Sequence, residues 1–260
     1  MPLFYSMQLN FKKTGNGEPL IILHGLFGSL DNWLTLAKKL GEHFEVFIVD
    51  ARNHGHSPHS DEFNYEVMAD DLYEFMIQNQ IIDPMVLGHS MGGKTAMQFA
   101  MNYPNYISKL IVADIAPKAY PVHHDTILKG MFALNFDIIK TRKEADEELS
   151  KYIPDLSIRQ FLLKNLYWAD KEKLAWKFNL PVINRNIEII GKELTNVHVF
   201  DKPTLFIRGT LSNYITENDF ILIKKIFSYA EIKSMNTGHW VHAENPVEFL
   251  QILNSFLFSH

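Results

Sequence analysis

Short runs of branched aliphatic residues recur along the chain and alternate with longer amphipathic segments. Within the runs, apolar and polar positions do not alternate, which is typical of strands covered on both faces of a parallel sheet. Five runs predict strands, at residues 20–23, 44–49, 85–87, 110–113 and 204–207. Their alternation with helical segments predicts right-handed strand–helix–strand units and therefore an α/β protein with a doubly wound, mostly parallel sheet.

The amphipathic segments predict helices on both faces of this sheet. After Asn64, a residue that favours the position before a helix, Met68, Leu72 and Phe75 recur at helical spacing. Further helices are predicted from Ser90 onward and over residues 246–258.

The strand–helix rhythm stops between residues 117 and 199. This stretch contains helix-like segments rich in Phe, Leu and Trp, but no convincing strand, and strand signals resume at Pro203. We therefore predict a core of residues 1–116 and 200–260, with a small helical cap of residues 117–199 inserted between two sheet strands. An insertion at the C-terminal edge of a parallel sheet would lie over the place where such folds bind ligands.

Composition narrows the class of protein. The 260 residues carry 25 Lys and Arg against 30 Asp and Glu, a net charge of −5, so there is no basic excess to neutralise nucleic-acid phosphates. The sequence has no cysteine, which excludes disulfides, thiol nucleophiles and thiolate metal sites. No run approaches the roughly 18 apolar residues that a membrane span needs. We expect a cytoplasmic protein that binds neither nucleic acid nor membranes.

The motif GHSMG at residues 88–92 carries the clearest chemistry. It follows the predicted strand at 85–87 and precedes a predicted helix, which is the context of the nucleophile elbow of the α/β-hydrolase fold. Such a turn strains the central residue and exposes its hydroxyl, and side chains at Gly88 and Gly92 would collide across it. We predict Ser90 as the nucleophile. The alternative is a glycine-flanked turn that contains serine by chance.

Two backbone N–H groups are expected to form an oxyanion hole. One belongs to Met91, which follows the nucleophile along the chain. The other is expected in the loop after the first predicted strand, at Leu26, with help from Phe27.

The general base must be chosen among 12 histidines. His239 lies in a loop before the C-terminal helix, where this fold delivers its histidine. His242 is the nearest rival, but we expect it to pack at the start of the next helix. His54 lies in a group of histidines near Asp50, whose pattern is typical of a polar loop rather than a metal site. We therefore predict no metal or cofactor.

The acidic partner of His239 does not lie at the position that is usual for this fold. At the usual position, the loop after the strand at 204–207, the residue is Ser212, which carries no charge although it could orient the imidazole by a hydrogen bond. Asp114 ends the strand at 110–113 and is the favoured acid, because a carboxylate there is costly unless it is paired. Alternatively, Asp114 caps a turn. Asp219 and Asp201 are weaker candidates by position.

Together these motifs give a resemblance to the YbfF-type esterases, small-cap α/β-hydrolases. The matching stretches are HGLFGSLDN at 24–32, RNHG at 52–55, GHSMGGK at 88–94, DIAP at 114–117 and GHWVHAE at 238–244. The resemblance implies hydrolysis of carboxylic esters, with thioesters as a second class. It also implies a serine near the usual acid position and an aspartate after the preceding strand, as at Ser212 and Asp114. For Lys94, a structural ion pair is expected.

The predicted protein is thus a serine esterase in which Ser90, His239 and Asp114 act on a small-molecule ester or thioester through an acyl-enzyme. Most of the large apolar residues of the cap should form its own core and its contact with the sheet domain, and some of them should line an acyl pocket. They are Met131, Phe132, Leu134, Phe136, Phe161, Leu162, Leu163 and Trp168. Two alternatives remain open. One is other Ser-His-acid chemistry, in a carbon–carbon bond hydrolase or a cofactor-free haloperoxidase. The other is a catalytically silent binding module.

Overall fold

The computed structural model describes residues 7–121, 124–171, 173–195 and 197–259; the remaining residues of the predicted core and cap lie outside the described ones. The strands are β1 (Phe11–Thr14), β2 (Glu18–Leu23), β3 (Phe44–Val49), β4 (Met85–His89), β5 (Lys109–Ala113), β6 (Leu166–Trp168), β7 (Leu174–Trp176), β8 (Thr204–Gly209) and β9 (Ala230–Met235). The α-helices are α1 (Leu34–Leu40), α2 (Tyr65–Gln78), α3 (Met91–Asn102), α4 (Asp125–Ala133), α5 (Arg142–Ser150), α6 (Leu156–Leu163), α7 (Leu180–Gly191), α8 (Asp219–Ile226), α9 (Val241–Glu244) and α10 (Pro246–Leu257). None of these helices is long and apolar enough to cross a membrane.

The central sheet confirms the predicted fold class. Its strand order is β1-β3-β2-β4-β5-β8-β9, with β1 antiparallel to β3 and the other neighbours parallel. The five predicted strands lie in β2, β3, β4, β5 and β8. The register pairs His89 with Ala113, and Ala113 with Ile207. The ends of β4, β5 and β8 therefore meet at one edge, so the residues that follow them become neighbours.

Both faces of the sheet are buried, which explains the uninterrupted apolar runs. In β2, Ile21 and Leu23 belong to the core cluster that includes residues of α2 and α3. Leu20 and Ile22 belong to the opposite cluster, with residues of α1 and α10. The predicted start of α2 is also confirmed, because the Asn64 side chain accepts a hydrogen bond of 2.9 Å from the N–H of Val67.

The segment between β5 and β8 holds α4 to α7 and a short antiparallel hairpin of β6 and β7. The expectation that this segment contains no strand is therefore wrong. Each hairpin strand has three residues, of which only the first is fully buried. A strand this short gives no readable apolar pattern in the sequence.

The last carbonyls of α7 are held by residues of α2 and α3. The Tyr65 hydroxyl donates a hydrogen bond of 2.8 Å to the carbonyl of Ile190, and the Lys94 ammonium donates one of 2.5 Å to that of Lys192. Lys94 is almost fully buried and forms no ion pair with any described residue, so the expected ion pair is wrong. Instead its cation meets the negative end of the α7 dipole and the ring faces of Tyr65 and Tyr120.

Candidate active site

Ser90 occupies a strained turn between β4 and α3. Its φ of 54° and ψ of −118° lie outside the regions that side-chain-bearing residues ordinarily adopt. The turn is held from both sides, since the N–H of Ser90 donates to the carbonyl of Ala113 at 3.1 Å and the carbonyl of Ser90 accepts from the N–H of Lys94 at 3.0 Å. This conformation leaves the hydroxyl-bearing residue half-buried on a cavity wall.

The glycines flanking the motif permit a close approach of three chain segments. A Cβ atom at Gly88 would lie 2.1 Å from the carbonyl oxygen of Gly92, and one at Gly92 would lie 2.5 Å from that of Leu23. Both distances are far inside van der Waals contact. The crowding agrees with the reason given above for glycine at these two positions.

The N–H groups expected to form the oxyanion hole lie near Ser90. Leu26, Met91 and Ser90 together line a small cavity of about 50 Å³. Among the described residues, neither N–H donates to a protein acceptor, and Met91 begins α3, where N–H groups lack helical partners. The N–H of Phe27, by contrast, donates to Nε2 of His54 at 3.2 Å, so Phe27 is already engaged.

His239 and Asp114 are in direct contact. Nδ1 of His239 lies 2.8 Å from Oδ2 of Asp114, and the aspartate is fully buried. Its other oxygen, Oδ1, accepts a hydrogen bond of 2.9 Å from the N–H of Gly209. Because a carboxylate only accepts, Nδ1 of His239 is the donor and Nε2 is left facing away from Asp114.

The four candidate acid positions differ in their contacts. The Ser212 hydroxyl donates a hydrogen bond of 2.5 Å to Oδ2 of Asp114 rather than to the imidazole. Asp219 is held by Lys118 and by Thr216. Asp201 lies exposed.

Four other histidines near the site, His24, His54, His89 and His242, have structural contacts. His24 accepts from the N–H of Ala51 at 3.0 Å, and Nε2 of His89 donates to the carbonyl of His239 at 2.9 Å. Burial lowers the pKa of His54 and of His242 to about 3, and it also holds that of His89 well below its usual range. These rings are therefore neutral at physiological pH. His242 lies in α9 and packs against Trp33, as expected for a structural residue.

Ser90 and His239 open onto one cavity of about 540 Å³ between the sheet edge and the inserted segment. Some of the eight apolar residues named for the cap were expected to line an acyl pocket, and Phe161 and Leu162 line this cavity. Phe132 and Trp168 are instead exposed.

Sequence reasoning missed one residue of the site. Tyr214, in the loop after β8, lines the cavity and stacks its ring on the imidazole of His239. Its only signal in the sequence is its position two residues after Ser212.

The fold and the arrangement around Ser90 define a class of protein. A model of the alpha/beta hydrolase fold matches residues 18–151, and the chain therefore belongs to the α/β-hydrolase family.

Relatives within this family confirm the resemblance to the YbfF-type esterases. The esterase YbfF of Escherichia coli K12 is 37% identical over 246 residues, covering 93% of this chain and 94% of its own. The sn-1-specific diacylglycerol lipase ABHD11 of Danio rerio is 36% identical over 257 residues, covering 95% and 80% respectively. Among solved structures, a marine microorganism esterase is 43% identical with a TM-score of 0.94, covering 96% of this chain and 100% of its own.

Proposed function

We propose that this chain is a serine esterase that hydrolyses carboxylic esters through Ser90, His239 and Asp114. The single observation that carries the proposal is the 2.8 Å contact between His239 and Asp114 on the cavity that Ser90 lines. The relatives named esterase and diacylglycerol lipase support the reaction class, since both act on carboxylic esters. The chain is thus an enzyme of the carboxylic ester hydrolase class.

In the proposed mechanism, His239 takes the proton of Ser90 while the Ser90 oxygen bonds to the acyl carbon of the ester. The carbonyl oxygen becomes an oxyanion, and the N–H groups of Leu26 and Met91 stabilise it. As the oxyanion collapses, the bond to the leaving oxygen breaks and His239 protonates the departing alcohol. Asp114 keeps the imidazole in the tautomer with its proton on Nδ1 and stabilises the imidazolium that forms.

Water completes the second half of the reaction. His239 takes a proton from a water molecule, whose oxygen bonds to the acyl carbon of the acyl-enzyme. The bond to Ser90 then breaks, Ser90 regains its proton from His239, and the acid leaves. An acyl thioester fits the same steps with a thiol as leaving group. No cofactor takes part.

A fluorophosphonate probe tests the proposal directly, because it forms a stable bond only with an activated serine. We expect wild type to be labelled and Ser90→Ala to lose the label completely. Ser157→Ala is the matched control, since Ser157 lies on the wall of the same cavity, and this variant should stay labelled. Labelling that persists in Ser90→Ala, or an unlabelled wild type, contradicts the proposal.

A substrate panel then separates the reaction classes. Wild type should cleave p-nitrophenyl esters, with an acyl-CoA thioester as second substrate. Cleavage of a β-diketone without ester turnover would favour the carbon–carbon bond hydrolase, and halide oxidation would favour the haloperoxidase. A protein that the probe does not label and that turns over none of these substrates would be a binding module.

A further inference from the structure

Tyr214 lies face to face with the imidazole of His239. The two ring centroids are 3.9 Å apart and the ring planes differ by 20°, which is a stacked arrangement. The His89 ring is tilted at 42° to this imidazole with centroids 4.7 Å apart. Trp240 is more distant, with centroids 6.4 Å apart and planes at 51°. Tyr214 therefore covers one face of the imidazole while Asp114 contacts its edge.

The backbone of Tyr214 is fixed by hydrogen bonds to the same network that holds the acid. Its N–H donates to the Ser212 hydroxyl oxygen at 3.2 Å, and that hydroxyl in turn donates to Asp114. Its carbonyl accepts a hydrogen bond of 2.6 Å from the hydroxyl of Tyr120. The stacked ring is consequently placed by the loop that also places Ser212, and a rotation of the imidazole would have to displace it.

The stacking has an electrostatic consequence during the proposed reaction. When His239 holds the proton of Ser90 it is a cation, and the π face of an aromatic ring attracts a cation. The titratable groups near it are the rings of His89 and His242, the Asp114 carboxylate, and the Glu244 carboxylate, which accepts hydrogen bonds from the N–H groups on either side of His239. Burial keeps both of these histidines uncharged, so they add no competing positive charge.

We infer that Tyr214 is a positioning residue for His239, whose ring holds the imidazole in its catalytic orientation and stabilises its protonated form. This inference rests on the proposed function of His239 as the general base. Tyr214 acts through the imidazole, and its hydroxyl has no part in the inferred role.

Three replacements of Tyr214 separate the ring from the hydroxyl. Tyr214→Phe keeps the ring, Tyr214→Leu removes it, and 4-cyanophenylalanine in place of Tyr214 keeps its shape but withdraws electron density from its face. The measurement is kcat and KM for p-nitrophenyl acetate across pH 5 to 9. The acidic limb of kcat/KM reports protonation of the base in the free enzyme.

We expect Tyr214→Phe to stay within about threefold of wild type at every pH. In Tyr214→Leu, kcat should fall about tenfold with little change in KM, and the acidic limb should move to lower pH by about 0.5 to 1 unit. The direction follows because an imidazolium without the ring face is less stable and loses its proton at lower pH. The cyano-substituted ring should move the limb in the same direction with unchanged stability towards urea, so the test survives if the leucine variant folds poorly.

Trp240→Leu is the matched control, because it removes an aromatic ring that borders the cavity but does not stack on His239. It should alter KM and leave the acidic limb in place. A limb that stays in place in both ring-altered variants overturns the inference, and so does a phenylalanine variant as impaired as the leucine one. If either of these two results is obtained while fluorophosphonate labels wild type, the inference about Tyr214 is wrong and the proposed function stands. An unlabelled wild type refutes the proposed function as well.

Discussion

At the scale of single residues, the Asp114 carboxylate is the most constrained group of the site. It is fully buried and has a φ of 48°, in the left-handed region that side-chain-bearing residues rarely adopt. It accepts hydrogen bonds from the side chains of His239 and Ser212 and from the N–H of Gly209. A strained backbone with three converging donors is an arrangement found at functional sites.

Asp114→Asn is expected to lower kcat for p-nitrophenyl acetate by up to about 10⁴-fold, because the imidazole loses its anionic partner and its fixed tautomer. Ser212→Ala serves as the comparison. Ser212 acts on His239 indirectly, through Asp114 and the backbone of Tyr214, so its loss should cost roughly fivefold, the equivalent of one hydrogen bond. Near-full activity in Asp114→Asn with a collapse in Ser212→Ala would reverse the two assignments.

At the residue scale, the sequence is informative where a motif fixes the local backbone. The proximity of Asp114 to His239 can be predicted because a serine stands at the usual acid position and a carboxylate ends the neighbouring strand. The stacking of Tyr214 was missed because it depends on the path of the loop after β8. No spacing rule in the sequence encodes that path.

At the scale of elements, the buried ammonium of Lys94 contacts the C-terminal end of α7. Burial lowers the pKa of Lys94 to about 8, against an ordinary value near 10.5. The unfolded chain therefore binds this proton more tightly than the folded one. By linkage, the charged lysine costs stability below about pH 8, and this cost shrinks as the pH rises towards the ordinary value.

We accordingly expect the free energy of unfolding of Lys94→Met at pH 7 to exceed that of wild type by on the order of 1 kcal/mol, because methionine fills the site without a buried charge. The advantage should shrink at pH 9.5. Urea unfolding at the two pH values measures the difference, with Lys38→Met, at an exposed position of α1, as a control whose difference stays constant. If Lys94→Met is less stable than wild type, and by the same free energy at pH 7 and at pH 9.5, the linkage argument is wrong.

The two edge strands of the central sheet, which sequence reasoning missed, share a physical cause. β9 lies at the edge of the sheet, and its exposed residues, such as Glu231 and Lys233, interrupt any apolar run. β1, at the opposite edge, likewise carries exposed Lys12 and Lys13. Central strands can be predicted from the sequence because both of their faces must be apolar. Edge strands carry polar residues and give no such apolar run.

At the scale of the whole molecule, the proposed chemistry and the walls of the cavity come from different parts of the chain. Ser90, Asp114 and His239 follow β4, β5 and β9, at one edge of the sheet. Much of the cavity wall comes instead from the segment between β5 and β8, including Ile158, Phe161 and Leu162 of α6. This division predicts that substitutions in α6 change substrate binding and leave the chemical step intact.

Phe161→Ala tests that division. Phe161 lines the cavity and packs against Trp240, with ring centroids 5.6 Å apart. Loss of its ring should remove apolar contact with a long acyl chain, raising KM for p-nitrophenyl octanoate about tenfold while kcat for the acetate ester stays within about twofold. Phe132→Ala is the matched control, because Phe132 belongs to α4 of the same segment but is 51% exposed and lies outside this cavity. Equal effects on both esters in Phe161→Ala would mean that the inserted segment supports the catalytic geometry itself, and the division of labour would be wrong.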